Sequence, residues 1–183
     1  MTHDQQALGR RLRQLRQGQG LTLRELARRV GKSESYLSRV EHGRIDLSLS
    51  TLKEIADQLG RPIAHLLDDG LPPTDGLIKQ GRHRRLVVSP KLEYEILSTS
   101  NPDVTVFRMI LRAGGNSGER PYRHQGIESG ILLRGRVRVV VGDRDYVLEE
   151  GDSLTYRCEA PHWFENVGEG DALAIWVVTP PTF

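Results

Sequence analysis

The stretch TLRELARRVGKSESYLSRVEHGR, residues 22–44, holds two helix starts separated by one tight turn. Thr22 and Glu25 have capping-box spacing: the threonine oxygen accepts from the amide of residue 25, and the glutamate reaches back to the amide of residue 22. Leu23, Leu26, Ala27 and Val30 then recur at helical spacing and supply one apolar face. Gly31, Lys32 and Ser33 make the turn, with Ser33 as N-cap of the next helix. That helix buries Leu37 and Val40 and stops near Gly43, a residue suited to a helix end. Two short helices joined by a glycine-containing turn are the helix-turn-helix pattern, although an αα-hairpin in any helical bundle has the same spacing.

Further helices flank this pair. Leu8, Leu12 and Leu15 share one face of an earlier helix, which GQG at 18–20 ends. A fourth helix runs through STLKEIADQLG and buries Leu52, Ile55, Ala56 and Leu59. RPIAHLL, residues 61–67, adds a fifth, short turn of helix. Residues 1–67 hold twelve Lys or Arg against seven Asp or Glu, a net of +5 in a chain whose total is only +2. Arg10, Arg11, Arg13 and Arg16 crowd one stretch, and Arg24, Arg28 and Arg29 the next. Such an asymmetry suits phosphate binding as readily as a solvated helix face.

Composition sets the outer bounds. Charged residues make up 27% and apolar residues 37%, which suits a globular protein. No run approaches the roughly 18 apolar residues that span a bilayer. The N-terminus has no apolar core of a signal peptide. Cys158 is the sole cysteine, which excludes an internal disulfide and suits a reducing compartment. The expectation is a cytoplasmic protein with no membrane partner.

From residue 7 to residue 67 the chain resembles the phage-repressor-like helix-turn-helix family, the Xre family, and YLSRVEHGR at 36–44 is the most specific part of the likeness. One departure is Leu47, where members often have a proline. The resemblance implies that the third helix, residues 34–42, enters the major groove of DNA. Glu34, Ser35, Tyr36 and Arg39 then face the bases, away from Leu37 and Val40. Arg24, Arg28, Ser33, Ser38 and Arg44 are placed for phosphates. Dimers of this motif read half-sites about one helical turn apart, so a homodimer on an inverted-repeat operator is expected.

After DDGLPPTDG at 68–76, which reads as a linker, the apolar period changes to two. RLVVS, YEILST, VTVFRMILR, SGILLRG, RVRVVV, DYVLEEGD, SLTYR, HWFENV and ALAIWVV are short and rich in β-branched or aromatic residues. Nine such runs predict an antiparallel β-barrel or sandwich. The expected organisation is therefore a five-helix head over 1–67, a linker over 68–85 and a β-domain over 86–183.

PYRHQGIES, residues 121–129, carries the chemistry. On a strand, the period of two puts Tyr122, His124 and Glu128 on one face, and His162 arrives from another strand. Two imidazoles and one carboxylate suit a facial triad for a divalent ion, and they suit equally a set of hydrogen-bonded residues lining a metal-free cavity. Glu128 in a dry interior needs a partner if it is ionised. Cys158, Trp163, Phe164 and Trp176 read most simply as core.

Residues 86–180 resemble the cupin family. Tyr122, His124, Glu128 and Gly135 fall on its first motif, and His162 and Asn166 on its second. Tyr122 stands where a metal-binding cupin usually has its first histidine, and Glu149 replaces a motif proline. The resemblance implies a ligand pocket at Tyr122, His124, Glu128 and His162, with His124, Glu128 and His162 holding zinc, iron or nickel. Joined to the head, it implies a regulator, a repressor by analogy, whose β-domain binds an amine, amino acid or peptide effector. On this reading the chain is not an enzyme. The rival is a metal-dependent cupin enzyme, a dioxygenase or isomerase, that carries a DNA-binding head.

Overall fold

Capping chemistry sets the helices. The computed structural model describes residues 3–45, 47–61, 63, 76–99 and 103–180. It places α1 at His3–Gly18, α2 at Leu23–Arg29, α3 at Glu34–Glu41 and α4 at Leu49–Gln58. Thr22 Oγ1 accepts the Glu25 amide at 3.1 Å, and the Thr22 amide donates to the Glu25 carboxylate at 2.8 Å, so the capping box is complete. Ser33 and Ser48 cap α3 and α4 in the same way, accepting from the amides of Tyr36 and Thr51, each at 3.1 Å. Each cap satisfies one of the amides that a helix start leaves open.

Leu12, Leu26, Leu37, Leu52, Ile55 and Leu59 close over one another as the core of the head. Gly9 lets α1 lie against the end of α3: a Cβ at that position would fall 2.6 Å from the Val40 carbonyl oxygen. The head has four α-helices among the described residues, one fewer than expected. Gly60, with φ of 59°, ends α4, and the Arg61 amide turns back to the Ala56 carbonyl at 3.0 Å. Of the expected fifth turn only Arg61 and Ile63 are described, and Ile63 is buried. The rest of that turn, and residues 68–75 of the expected linker, lie outside the described residues.

The nine runs become nine strands: β1 Arg84–Ser89, β2 Leu92–Ile96, β3 Thr105–Leu111, β4 Ile127–Arg134, β5 Val137–Val141, β6 Arg144–Leu148, β7 Ser153–Arg157, β8 His162–Asn166 and β9 Ala172–Thr179. Burial alternates along β2, β3, β5, β8 and β9, as a period of two requires. They form an antiparallel sandwich and not a closed barrel. One sheet has the order β1-β2-β3-β9-β4-β7, and the other β6-β5-β8. The segment between β3 and β4 forms no continuous ladder with β8 among the described residues: its strand-type pairings there are two isolated bridges, Asn116 with Glu165 and Tyr122 with His162. Gly114, Gly115, Gly118 and Pro121 keep this segment from forming the continuous ladder that closure needs. The inner faces pack Leu86, Tyr94, Phe107, Met109, Val139, Phe164 and Trp176 between the sheets.

The head rests on the sandwich. Leu8 and Gly9 of α1 share a crevice with Val87 and Val88 of β1. No helix among the described residues is long and apolar enough to cross a membrane.

Candidate functional site

On α3, Glu34, Ser35 and Arg39 are exposed, while Leu37 and Val40 are buried on the opposite face. Tyr36 sits differently: it is half-buried, packs against the core and bonds to Thr51 of α4. Arg24, Arg28 and Arg44 are exposed. Ser33 Oγ is engaged in the cap of α3, and Ser38 is half-buried. Arg16 departs most from its sequence reading as part of a basic surface cluster. It is buried, with Nε and Nη2 donating to the two Glu41 oxygens at 2.6 and 2.8 Å and Nη1 donating to the Leu21 carbonyl at 2.7 Å.

Inside the sandwich, Tyr122, His124, Glu128 and His162 are all buried and close together. They do not share one strand, as the period of two had suggested. Tyr122 and His124 precede β4, and a turn at Gly126 (φ of 103°) separates them from Glu128. A Cβ at residue 126 would lie 2.5 Å from the Thr179 carbonyl oxygen, so glycine is what lets the chain turn here against β9. His124 and Glu128 still converge. His124 Nε2 and Glu128 Oε1 lie 3.0 Å apart, and Tyr156 Oη donates to Glu128 Oε2. The rings of Tyr122 and His162 lie 4.2 Å apart between centroids, and those of His124 and His162 5.2 Å apart.

The two histidines are prepared alike. Nδ1 of His124 donates to the Gln125 carbonyl at 2.9 Å, and Nδ1 of His162 donates to the Ala160 carbonyl at 3.0 Å. Each Nε2 is thereby turned toward the interior, the arrangement by which outer partners orient ligand histidines. His162 Nε2 is buried without a hydrogen-bond partner. Buried polar atoms are rarely left so, and the donor set fits a metal ion.

The geometry adds Cys158 to the candidate donors. Ligand atoms of His124, Glu128 and Cys158 lie within 4.8 Å of one another, all buried, and can coordinate a divalent ion. His162 borders this group, with its unpartnered Nε2 buried beside it. Cys158 was read as plain core, and Tyr156 was not singled out at all. The expectation that the chain is not an enzyme is corrected by this cluster, because three buried groups of metal-binding type equip the domain for metal-dependent chemistry as well as for sensing.

Electrostatics follow from burial. Burial alone would raise the Glu128 carboxyl, but hydrogen bonds from His124 and Tyr156 and the nearness of His162 outweigh it and hold the group below its ordinary value. Burial pushes His162 below its ordinary imidazole value, against the pull of Glu128. The Cys158 thiol and the Tyr122 and Tyr156 phenols are all pushed up, chiefly by burial and then by Glu128. Both lowered groups act in one direction, since the unfolded chain takes up protons that the folded chain refuses. Their contribution to stability is complete above about pH 6.5, where an unfolded histidine is neutral. It is lost first as His162 becomes protonated in the unfolded chain, and further as pH falls through the lowered carboxyl value of Glu128. Metal-free protein should melt at lower temperature at pH 5.5 than at pH 7.5, and His162→Gln should shrink that difference. A melting temperature independent of pH across this window would refute the assignment.

Known proteins resemble the chain over both parts. The helix-turn-helix family model matches residues 12–66, and the cupin domain model matches residues 107–178. The HTH-type transcriptional regulator PuuR of Escherichia coli is 28% identical over 193 residues, covering all of both chains. An uncharacterized HTH-type transcriptional regulator, y4dJ of Sinorhizobium fredii, is 38% identical over 68 residues, which are 37% of this chain and 83% of that one. The crystal structure of a helix-turn-helix family transcriptional regulator from Vibrio cholerae superimposes with a TM-score of 0.68 at 20% identity, covering 97% of each chain. A head with a capped α2–α3 pair, seated on a cupin sandwich of nine described strands, matches the Vibrio cholerae structure in fold and order. The chain belongs to the Xre-type helix-turn-helix transcriptional regulators that carry a C-terminal cupin domain.

Proposed function

We propose that this protein is a sequence-specific DNA-binding regulator whose cupin domain holds a metal-dependent site for a small molecule. Residues 1–67 bind DNA, 68–85 link, and 86–183 sense the ligand and dimerise. The protein works as a homodimer on an inverted repeat and acts as a repressor. In the head, α3 enters the major groove. Glu34 accepts from a cytosine amino group, Arg39 donates to guanine, and Ser35 and Tyr36 adjoin the same bases. Arg24, Arg28, Ser33, Ser38 and Arg44 take phosphates. The exposure of Glu34, Ser35 and Arg39 opposite the buried Leu37 and Val40 supports this division. Glu34→Ala should change which bases are preferred in a selection from random duplexes. Arg24→Ala should weaken all sequences about equally. An unchanged preferred site for Glu34→Ala would remove that residue from the base-reading set.

The observation that carries the cupin reading is the buried His124–Glu128–Cys158 cluster beside the unpartnered Nε2 of His162. A divalent zinc, iron or nickel ion held there supplies Lewis acidity and open coordination positions. His124, Glu128 and either Cys158 or His162 hold the ion, Tyr156 fixes the carboxylate, and Tyr122 and His162 wall the ligand space. The ligand is an amine, an amino acid or a peptide. For the cupin domain itself, catalysis has the more direct support: the cluster suits a dioxygenase or isomerase joined to a DNA-binding head. Purified protein should carry stoichiometric metal. Oxygen uptake or substrate isomerisation with candidate ligands then separates turnover from sensing alone.

A further inference from the structure

The strand that carries His162 inward carries Trp163 outward. Along β8 the residues alternate, with His162, Phe164 and Asn166 buried and Trp163 and Glu165 half-buried on the other face. Trp163 Nε1 donates to the Gly118 carbonyl at 2.6 Å. The neighbouring loop residues are tied to the same strand. The Ser117 amide donates to the Phe164 carbonyl at 3.0 Å, and the Phe164 amide donates to Ser117 Oγ at 3.2 Å. Asn116 bridges to Glu165.

The other side of this loop meets the DNA-binding head. The Leu49 amide, the first of α4, donates to the Ser117 carbonyl at 3.2 Å. A carbonyl of the cupin domain thus satisfies an amide that the helix start leaves open. Gly118 lies so close to the N-cap that a Cβ there would fall 2.7 Å from Ser48 Cβ, at a φ of 125°. Ser48 in turn bonds to Thr51, and both line one cleft with Tyr36 of α3. A cleft of about 430 Å³ runs along this contact, lined by Tyr36, Ser48, Glu54, Gly118 and Arg120 among others.

We propose that loop 116–118 is the joint through which the state of the cupin site reaches the DNA-binding helices. Trp163 is the positioning residue that ties the joint to His162. The proposal rests on reading the surroundings of His162 as the ligand site, and it names the residues that would regulate the head. A ligand moves the head only if it binds one arrangement of this joint better than another. The physical link is one peptide unit from His162 to Trp163, one indole hydrogen bond, one carbonyl cap, and the Ser48–Thr51–Tyr36 contacts.

Trp163→Phe keeps a ring and deletes the N–H, so it tests the joint with little change in packing. In the full chain, amide hydrogen exchange at Leu49 should become about fivefold to tenfold faster, the loss of one ordinary hydrogen bond. Exchange in α2 and zinc affinity should stay unchanged, which a merely destabilised fold would not allow. Gly118→Ala, forced against Ser48, should give the same signature by an independent route. His162→Gln should alter Leu49 exchange when Trp163 is present and have little further effect when it is combined with Trp163→Phe. Normal Leu49 exchange in both joint variants overturns the proposal. So does a His162→Gln effect that is absent in the parent, or equally large in the two backgrounds. A zinc titration that shows no binding removes the metal reading alone, since the joint is read by exchange without metal.

Discussion

Glu128→Gln is expected to weaken zinc binding by about 100-fold or more while leaving DNA binding by metal-free protein near that of the parent. The carboxylate is only 4% exposed, with His124 Nε2 3.0 Å from one oxygen and Tyr156 Oη donating to the other. Glutamine fills the same volume but brings no anion to a site where burial strengthens every charge interaction. Replacing the partners that merely orient a ligand costs 10–100-fold in affinity, so loss of the ligand itself starts at the top of that range. Among the described residues no hydrogen bond or ion pair joins Glu128 to a helix of the head, so the head should keep its fold. His124→Ala should behave in the same way. Cys158→Ser and His162→Ala then decide between two donor sets, and the one whose loss matches that of Glu128→Gln supplies the third ligand. Competition against a chromophoric chelator measures all four. Zinc affinity within twofold of the parent for Glu128→Gln would mean that the cluster is a hydrogen-bond network and not a metal site.

The comparison between this site and its sequence explains what local reading can reach. Strands were legible because burial period is a property of consecutive residues: Arg136, Val137, Arg138 and Val139 alternate in sequence, and β5 alternates in burial. Helix starts were legible because Thr22–Glu25 and Ser33 act within three residues of themselves. His124 and Glu128 were found as a pair for the same reason, although the turn at Gly126 brings them together by a different route. Tyr156 and Cys158 were missed because their place depends on register between distant strands. Glu128 pairs with Tyr156 across β4 and β7, and the His124 amide donates to the Cys158 carbonyl. No spacing rule carries that information. The open edges of the sandwich were hidden likewise, since only the bridging pattern at Asn116 and Tyr122 distinguishes them from a closed barrel. Arg16 was read as surface charge because its partner stands 25 residues away.

That same arginine, through its partner, underlies a large stability effect expected in the head. Arg16 is 8% exposed and Glu41 7%, and their fork-to-fork pair joins α1 to the end of α3. Replacing such a pair with apolar residues of matching shape is often neutral, because the desolvation of both charges is removed together. Removing one partner differs, since it strands the other charge in the interior. Glu41→Ala leaves the guanidinium with only its bond to the Leu21 carbonyl, and a loss of about 3–5 kcal/mol follows. A helical unit of some sixty residues sits near the low end of the 5–15 kcal/mol that domains possess, so most of its stability goes. DNA binding should then fail at 37 °C while the cupin sandwich remains folded, with zinc affinity as its reporter. The double change Arg16→Met with Glu41→Leu should restore much of the lost stability, though Arg16→Met alone should not. Urea unfolding followed by helical circular dichroism separates these outcomes. If Glu41→Ala costs under about 1 kcal/mol, the pair behaves as a surface ion pair does, and the interior between α1 and α3 is wetter than its packing implies.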